Sequence, residues 1–195
     1  DPIDPYLYYR ILHPGYTQWK KISIMQRNLE SFDETPVLEN NVLDQNCVNC
    51  HSFNQYDEKG FLFHVRGSKG GTYFYTDKGL ERFNLKTSEM SNGAVYPRWH
   101  PSGRYVAFSS NDVGQRFHSA NPKKIEVMDL HSSLVLYDLE KNEIMNIDVG
   151  NEGEFMDTYP EWSPDGKYLF YCRAKQIQQG ELHADIHYDL YRVAF

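Results

Sequence analysis

Three cysteines stand among 195 residues. Two fall within four positions, and the third, Cys172, lies more than a hundred residues away inside an apolar run. A four-ligand zinc site would want a second Cys/His cluster close by, and the sequence has none. No run of 18 apolar residues occurs, so no segment reads as a membrane-spanning helix. Lysine and arginine come singly or in short pairs such as Lys20-Lys21 and Lys123-Lys124, and the formal charge is −7, which makes nucleic acid and anionic membrane surfaces poor partners. The glycines of Gly67 to Gly71 lack the strand-to-helix context and the Lys-Ser/Thr end of a phosphate loop. Ser109-Ser110 and Ser132-Ser133 lack the glycines of a nucleophile elbow. Glu152, Glu154 and Asp157, like Asp129 and Asp138, are spaced as loop and hairpin charges rather than as a paired acid and base. No hydrolase constellation is present, and no signal peptide is visible at Asp1 to Pro5.

What is abundant is aromatic: 15 Tyr, 11 Phe and 3 Trp. Tyrosine as frequent as leucine, and well ahead of alanine, favours strand over helix, and an all-β chain is expected. Residues 1–18 read as an aromatic, turn-rich lead-in, with Tyr6, Tyr8, Tyr9 and Tyr16 around His13-Pro14-Gly15, laid over other structure. From Trp19 to Leu38 the pattern predicts a strand, a turn and a second strand, with a helix through Ile22, Met25 and Leu29 as the alternative. Residues 39–60 are rich in Asn, Asp, Gln and Ser and predict a loop insertion. Further strands are predicted at 61–65, 72–75, 80–85, 105–110, 134–139, 144–147, 168–172 and 188–195.

The loop-like stretch carries Cys47-Val48-Asn49-Cys50-His51. From this composition roughly 0.002 accidental Cys-x-x-Cys-His matches are expected. Two thiols at this spacing suit addition across the two vinyl groups of a haem, with the following His placed to ligate the iron. A redox disulfide, half of a zinc site or a structural pair would use the same atoms.

Two stretches 63 residues apart repeat each other: Tyr96-Pro97-Arg98-Trp99-His100-Pro101-Ser102-Gly103-Arg104-Tyr105 and Tyr159-Pro160-Glu161-Trp162-Ser163-Pro164-Asp165-Gly166-Lys167-Tyr168. Each is an aromatic-Pro start, a Trp to pack between sheets, a Pro-x-Gly turn and a strand. The second copy resembles the Trp-Ser-Pro-Asp-Gly-Lys blade motif of TolB-like, WD40-like β-propellers, and the first departs from it at His100 and Ser102. The resemblance implies an all-β fold of four-stranded antiparallel blades, three to four of them within 19–195, as part of an incomplete propeller. A haem-attachment run ahead of such blades is similar to a group of exported bacterial propeller proteins. It implies an exported, periplasmic c-type cytochrome whose signal peptide is removed before Asp1.

The expected site is therefore haem c on Cys47 and Cys50 with His51 as iron ligand. His64 and His100 lead for the opposite iron face, ahead of His118, Met90 and Met128, and Arg66 and Arg98 are candidates for the haem propionates. Trp99 and Trp162 are expected to pack blades, and Cys172 to be a buried free thiol. Electron transfer or redox sensing with a redox partner protein is the first functional reading. A haem-free module binding a protein or cell-envelope partner is the second, and a haem-dependent oxidoreductase or peroxidase the third.

Overall fold

The computed structural model describes residues 3–13, 18–55, 57–88, 90, 92–120, 122, 125–150, 153–177 and 185–195. The Pro14-Gly15 turn signal, Tyr16, Lys123-Lys124 and Glu152 lie outside them. The chain is all-β: four antiparallel sheets of three or four strands, the architecture of incomplete propeller blades. It divides into two compact units, 1–51 with 62–83, and 52–61 with 84–195. Among the described residues no helix is long and apolar enough to cross a membrane.

The first sheet is β1 (Tyr6–Ile11), β2 (Ser23–Asn28) and β3 (Glu34–Glu39), in that order. The strand-turn-strand expectation for 19–38 holds, and the helix alternative does not. Asn28 makes the turn, its Oδ1 accepting the N–H groups of Glu30 and Ser31. The lead-in reading of 1–18 is corrected: Tyr6 to Ile11 pair residue by residue with Asn28 to Ser23. Tyrosine, with its large side chain and strong strand preference, makes this a sheet member.

The second sheet is β4 (Cys47–Asn54), β5 (Asp57–Arg66), β6 (Gly71–Thr76) and β7 (Gly79–Phe83). Strands β4 and β5 run through both compact units. The loop expectation for 39–60 is thus corrected over most of its length. Its polar residues are consumed by local bonds: Asn40 Oδ1 accepts the Val48 N–H at 2.9 Å, and Asn46 Nδ2 reaches Ser68 Oγ at 3.1 Å. A composition that reads as loop is here largely a strand, with the Asn40 and Asn46 side chains bonded at its start.

The third sheet joins β8 (Ala94–Trp99), β9 (Tyr105–Phe117), β10 (Ile125–Asp138) and β11 (Glu143–Asn146), and the fourth β12 (Phe155–Trp162), β13 (Tyr168–Lys175) and β14 (Asp189–Ala194). A core of Ala107, Leu134, Leu136, Trp162, Leu169 and Tyr171 packs between these two sheets. The β9–β10 pair continues past its sheet neighbours, from Asn111 to Phe117 and from Ile125 to Leu130, as a two-stranded ribbon. Sequence reading stopped these strands early because Gly114, Gln115 and Arg116 break the apolar pattern.

Candidate functional site

The backbone turns left-handed at the same point of three edge strands, β4, β8 and β12: φ is +52° at Cys50, +52° at Tyr96 and +53° at Tyr159. In the two tyrosine copies the strand pairing slips there, between Val95 and Arg98 and between Thr158 and Glu161, which marks a β-bulge. Three residues further on come Phe53, Trp99 and Trp162. Trp162 Nε1 donates to the carbonyl of Arg98 at 3.1 Å, and Trp99 Nε1 donates to the carbonyl of Ser52 at 3.2 Å. Each acceptor is the residue just before the aromatic of the preceding copy.

The next residue repeats as well. A Cβ on Gly166 (φ +72°) would meet His100 Nε2 at 2.4 Å, and one on Gly103 (φ +72°) would meet Asn54 Nδ2 at 2.9 Å, so both turns require glycine. Cys50-His51-Ser52-Phe53-Asn54 is therefore a third copy of Tyr-Pro-x-Trp, with Cys50 at the bulge position and His51 in place of proline. Sequence comparison missed it because seven residues separate Phe53 from Phe61, against five between Trp99 and Tyr105.

No disulfide joins Cys47, Cys50 or Cys172; Cys47 is buried and the other two are half-buried. Cys47 Sγ receives Arg10 Nη2 at 3.4 Å and Asn49 Nδ2 at 3.7 Å. His51 is half-buried; burial first, then the positive charge of Arg10, hold its imidazole below the ordinary value, against a backbone hydrogen bond with Tyr8. His64, on the neighbouring strand β5, is pushed down to about 4 by burial and then by Arg66. Its Nδ1 lies 3.4 Å from Thr72 Oγ1. By position in the repeat His64 corresponds to Phe108 and Tyr171, the residues that stand across from the bulge in the tyrosine copies. Both imidazoles are neutral at pH 7, which is the ligating form.

This burial has a measurable consequence. An unfolded chain protonates His64 below about pH 6.5, whereas the folded one resists until about pH 4. Stability present above pH 6.5 is then lost as pH falls toward 4, by about 3 kcal/mol at full extent, and His51 acts in the same sense. Urea unfolding at a series of pH values should show this slope in the haem-free chain. His64→Phe, which installs the residue found at position 108, should remove most of it; an unchanged slope would assign the effect to other groups.

The remaining candidates are committed elsewhere. His100 has both ring nitrogens engaged: Nε2 with the carbonyl of Gly166 at 3.0 Å, and Nδ1 with the Ser102 N–H at 3.0 Å and hydroxyl at 2.8 Å. Trp162, Tyr105 and Phe195 surround it. It is a blade-packing residue rather than an iron ligand, because neither nitrogen is left to offer. His118 faces Glu126 at 3.2 Å, Met90 is buried in the second unit, and Met128 sits on the β10 ribbon. Arg98 is engaged by Glu161 at 2.6 Å and Arg66 is exposed, so neither fits the propionate role expected of it. Sequence reading missed Arg10, whose signal was one arginine among alternating tyrosines.

The donor set fits a c-type haem chemically: two free thiols, a neutral imidazole directly after the second, and a guanidinium with a buried Nε that has no partner. Asn49 Oδ1, in the same motif, is also buried without a partner. Among the described residues no group of three or more His, Cys, Asp and Glu is placed to hold a metal ion, so the ligand cluster of a zinc site is not formed.

No protein-family model matches the sequence, and no curated protein matches it. Solved structures do. TolB from Acinetobacter baumannii superposes with a TM-score of 0.61 at 13% identity, over 98% of this chain and 39% of TolB. The tricorn protease superposes with a TM-score of 0.52 at 12% identity, over 95% of this chain and 16% of the protease. At such identities the likeness concerns the fold alone. The chain thus spans well under half the length of the structures it resembles, and its fold is that of β-propeller blades of the TolB kind.

Proposed function

We propose that this chain is the scaffold of an exported c-type cytochrome, used for electron transfer or redox sensing with a partner protein. The observation that carries the reading is the substitution at the third left-handed position. The fold repeats a left-handed residue and an aromatic three positions later, and tyrosine fills the first in the other two copies. Yet Cys50-His51 stands where the other copies have Tyr-Pro, with Cys47 three residues before. The other two copies carry neither a thiol nor an imidazole at these positions, and these are the groups that haem attachment uses.

In attachment, the thiols of Cys47 and Cys50 would each add across a vinyl double bond. An S–C bond forms and the thiol hydrogen passes to the adjacent carbon, with no net oxidation. His51 would supply the iron ligand, and the bound group would supply a one-electron couple. His64, with one ring nitrogen uncommitted among the described residues, is the leading candidate for a second residue that would ligate the iron. Export follows from where such haem is attached, and the redox partner would be a protein of the same compartment.

The test is production with a c-type haem maturation system. The expected result is a mass gain of one haem that survives denaturation, with a Soret band. Cys47→Ser with Cys50→Ser should abolish both, and His51→Ala should keep the mass while changing the band. A wild-type chain of unaltered mass from a maturing host would sink the reading. The second reading, a haem-free binding module, draws on the β9–β10 ribbon, which exposes Phe117 and Val127. That reading would remain if no haem were gained.

A further inference from the structure

We propose that Arg10 is the carboxylate-binding residue of the Cys47-Cys50-His51 site, positioned to hold a propionate of the haem. This rests on the cytochrome reading and adds to it a residue outside the motif.

Arg10 is fixed by β1, paired with Ile24 of β2, and its side chain is half-buried. Its Nη2 donates to Cys47 Sγ, a weak acceptor, at 3.4 Å, and its Nε is buried without a partner. No carboxylate pairs with it among the described residues. The other arginines drawn into the sheets are answered. Arg173 makes a two-point pair with Asp157 at 2.6 and 2.9 Å, and Arg104 makes one with Asp138 at 3.2 and 2.7 Å. A guanidinium partly removed from water is costly unless a carboxylate meets its fork, and of these three Arg10 is the one left with a thiol. Once Cys47 is a thioether its sulfur is no better an acceptor, so the fork needs another anion. A c-type haem brings two carboxylates into such a site.

The experiment compares the full chain with Arg10→Gln and Arg10→Lys, each made with and without haem maturation, by mass, thermal midpoint and reduction potential. All three are expected to gain one haem, since attachment uses the cysteines. Arg10→Gln should lower the midpoint of the haem-loaded form while leaving the haem-free form unchanged or raised, because there it removes an unanswered cation. The potential should fall by about 59 mV, a tenfold change in a one-electron equilibrium, because an uncompensated propionate favours the ferric state. Arg10→Lys should fall between, keeping charge but losing the fork. Should Arg10→Gln fail to fold, Arg10→Lys against wild type carries the same comparison.

An equal loss in loaded and haem-free forms would make Arg10 a packing partner of Cys47 and overturn the assignment, as would no change in either. Those outcomes leave the cytochrome reading standing. A wild-type chain that takes no haem overturns both.

Discussion

Replacing Trp162 by alanine should destabilise the second unit by about 3–5 kcal/mol, the range for removing a large buried aromatic. Trp162 is 6% exposed and belongs to the core with Ala107, Leu134 and Leu169. Its ring meets His100 at 4.7 Å and Phe195 at 4.8 Å, both edge-on. The hydrogen bond from its Nε1 to the Arg98 carbonyl can be separated from this packing. Trp162→Phe keeps most of the ring and strands one acceptor, at a cost of about 1–2 kcal/mol. Trp99→Phe should lose a similar hydrogen-bond increment, since its Nε1 serves Ser52 in the same way. Urea midpoints followed by near-ultraviolet dichroism would measure all three. A Trp162→Ala chain within about 1 kcal/mol of wild type would show that the repeat aromatics do not carry the packing of these sheets.

The second large effect is expected at Asp157. Its carboxylate and the Arg173 guanidinium are each under one-tenth exposed and lie 2.6 Å apart at the closest approach. Arg173 Nη2 also donates to the carbonyls of Val149 and Gly150 at 3.2 Å, and the guanidinium stands over the rings of Phe155 and Tyr171. Asp157→Asn removes the counter-charge and leaves the cation buried, for about 3–5 kcal/mol. Replacing both, as Asp157→Leu with Arg173→Met, should cost far less than the single change, because no charge is left stranded. A double-mutant cycle reads the difference; additive losses would contradict a coupled pair. Sequence spacing had placed Asp157 among loop charges.

What the sequence made legible was repetition. Tyr96-Pro97-Arg98-Trp99 and Tyr159-Pro160-Glu161-Trp162 share turn chemistry and alternation, so their strands and the packing role of Trp162 could be read directly. The third copy was hidden by a longer turn after Asn54 and by Phe53 in place of tryptophan. The amide-rich stretch around Cys47 misled for a different reason: side-chain hydrogen bonds satisfied in three dimensions look, in one dimension, like solvent-facing polarity. Long-range pairing hid the rest. Arg10 reaches Cys47 across 37 residues, and Arg173 reaches Asp157 across 16 through the β12–β13 pairing. His100 drew notice by departing from the blade pattern, but its difference turned out to serve the Gly166 turn.

The tryptophan bonds run in one sense only: Trp162 donates back to Arg98, and Trp99 donates back to Ser52. The copy at Trp99 does both: it offers the Arg98 carbonyl to the copy after it and takes the Ser52 carbonyl from the copy before. A gene duplication that inserted a further copy would find both its demands already met, with no new complementary surface to invent. In that respect the interface behaves like a thread of constant pitch, to which a turn can be added without recutting the rest. A member of such a series is then free to change what its own geometry does not need. Here the copy that begins at Cys50 has exchanged its aromatic-proline pair for a thiol and an imidazole, while Ser52 still supplies the carbonyl on which the next tryptophan depends.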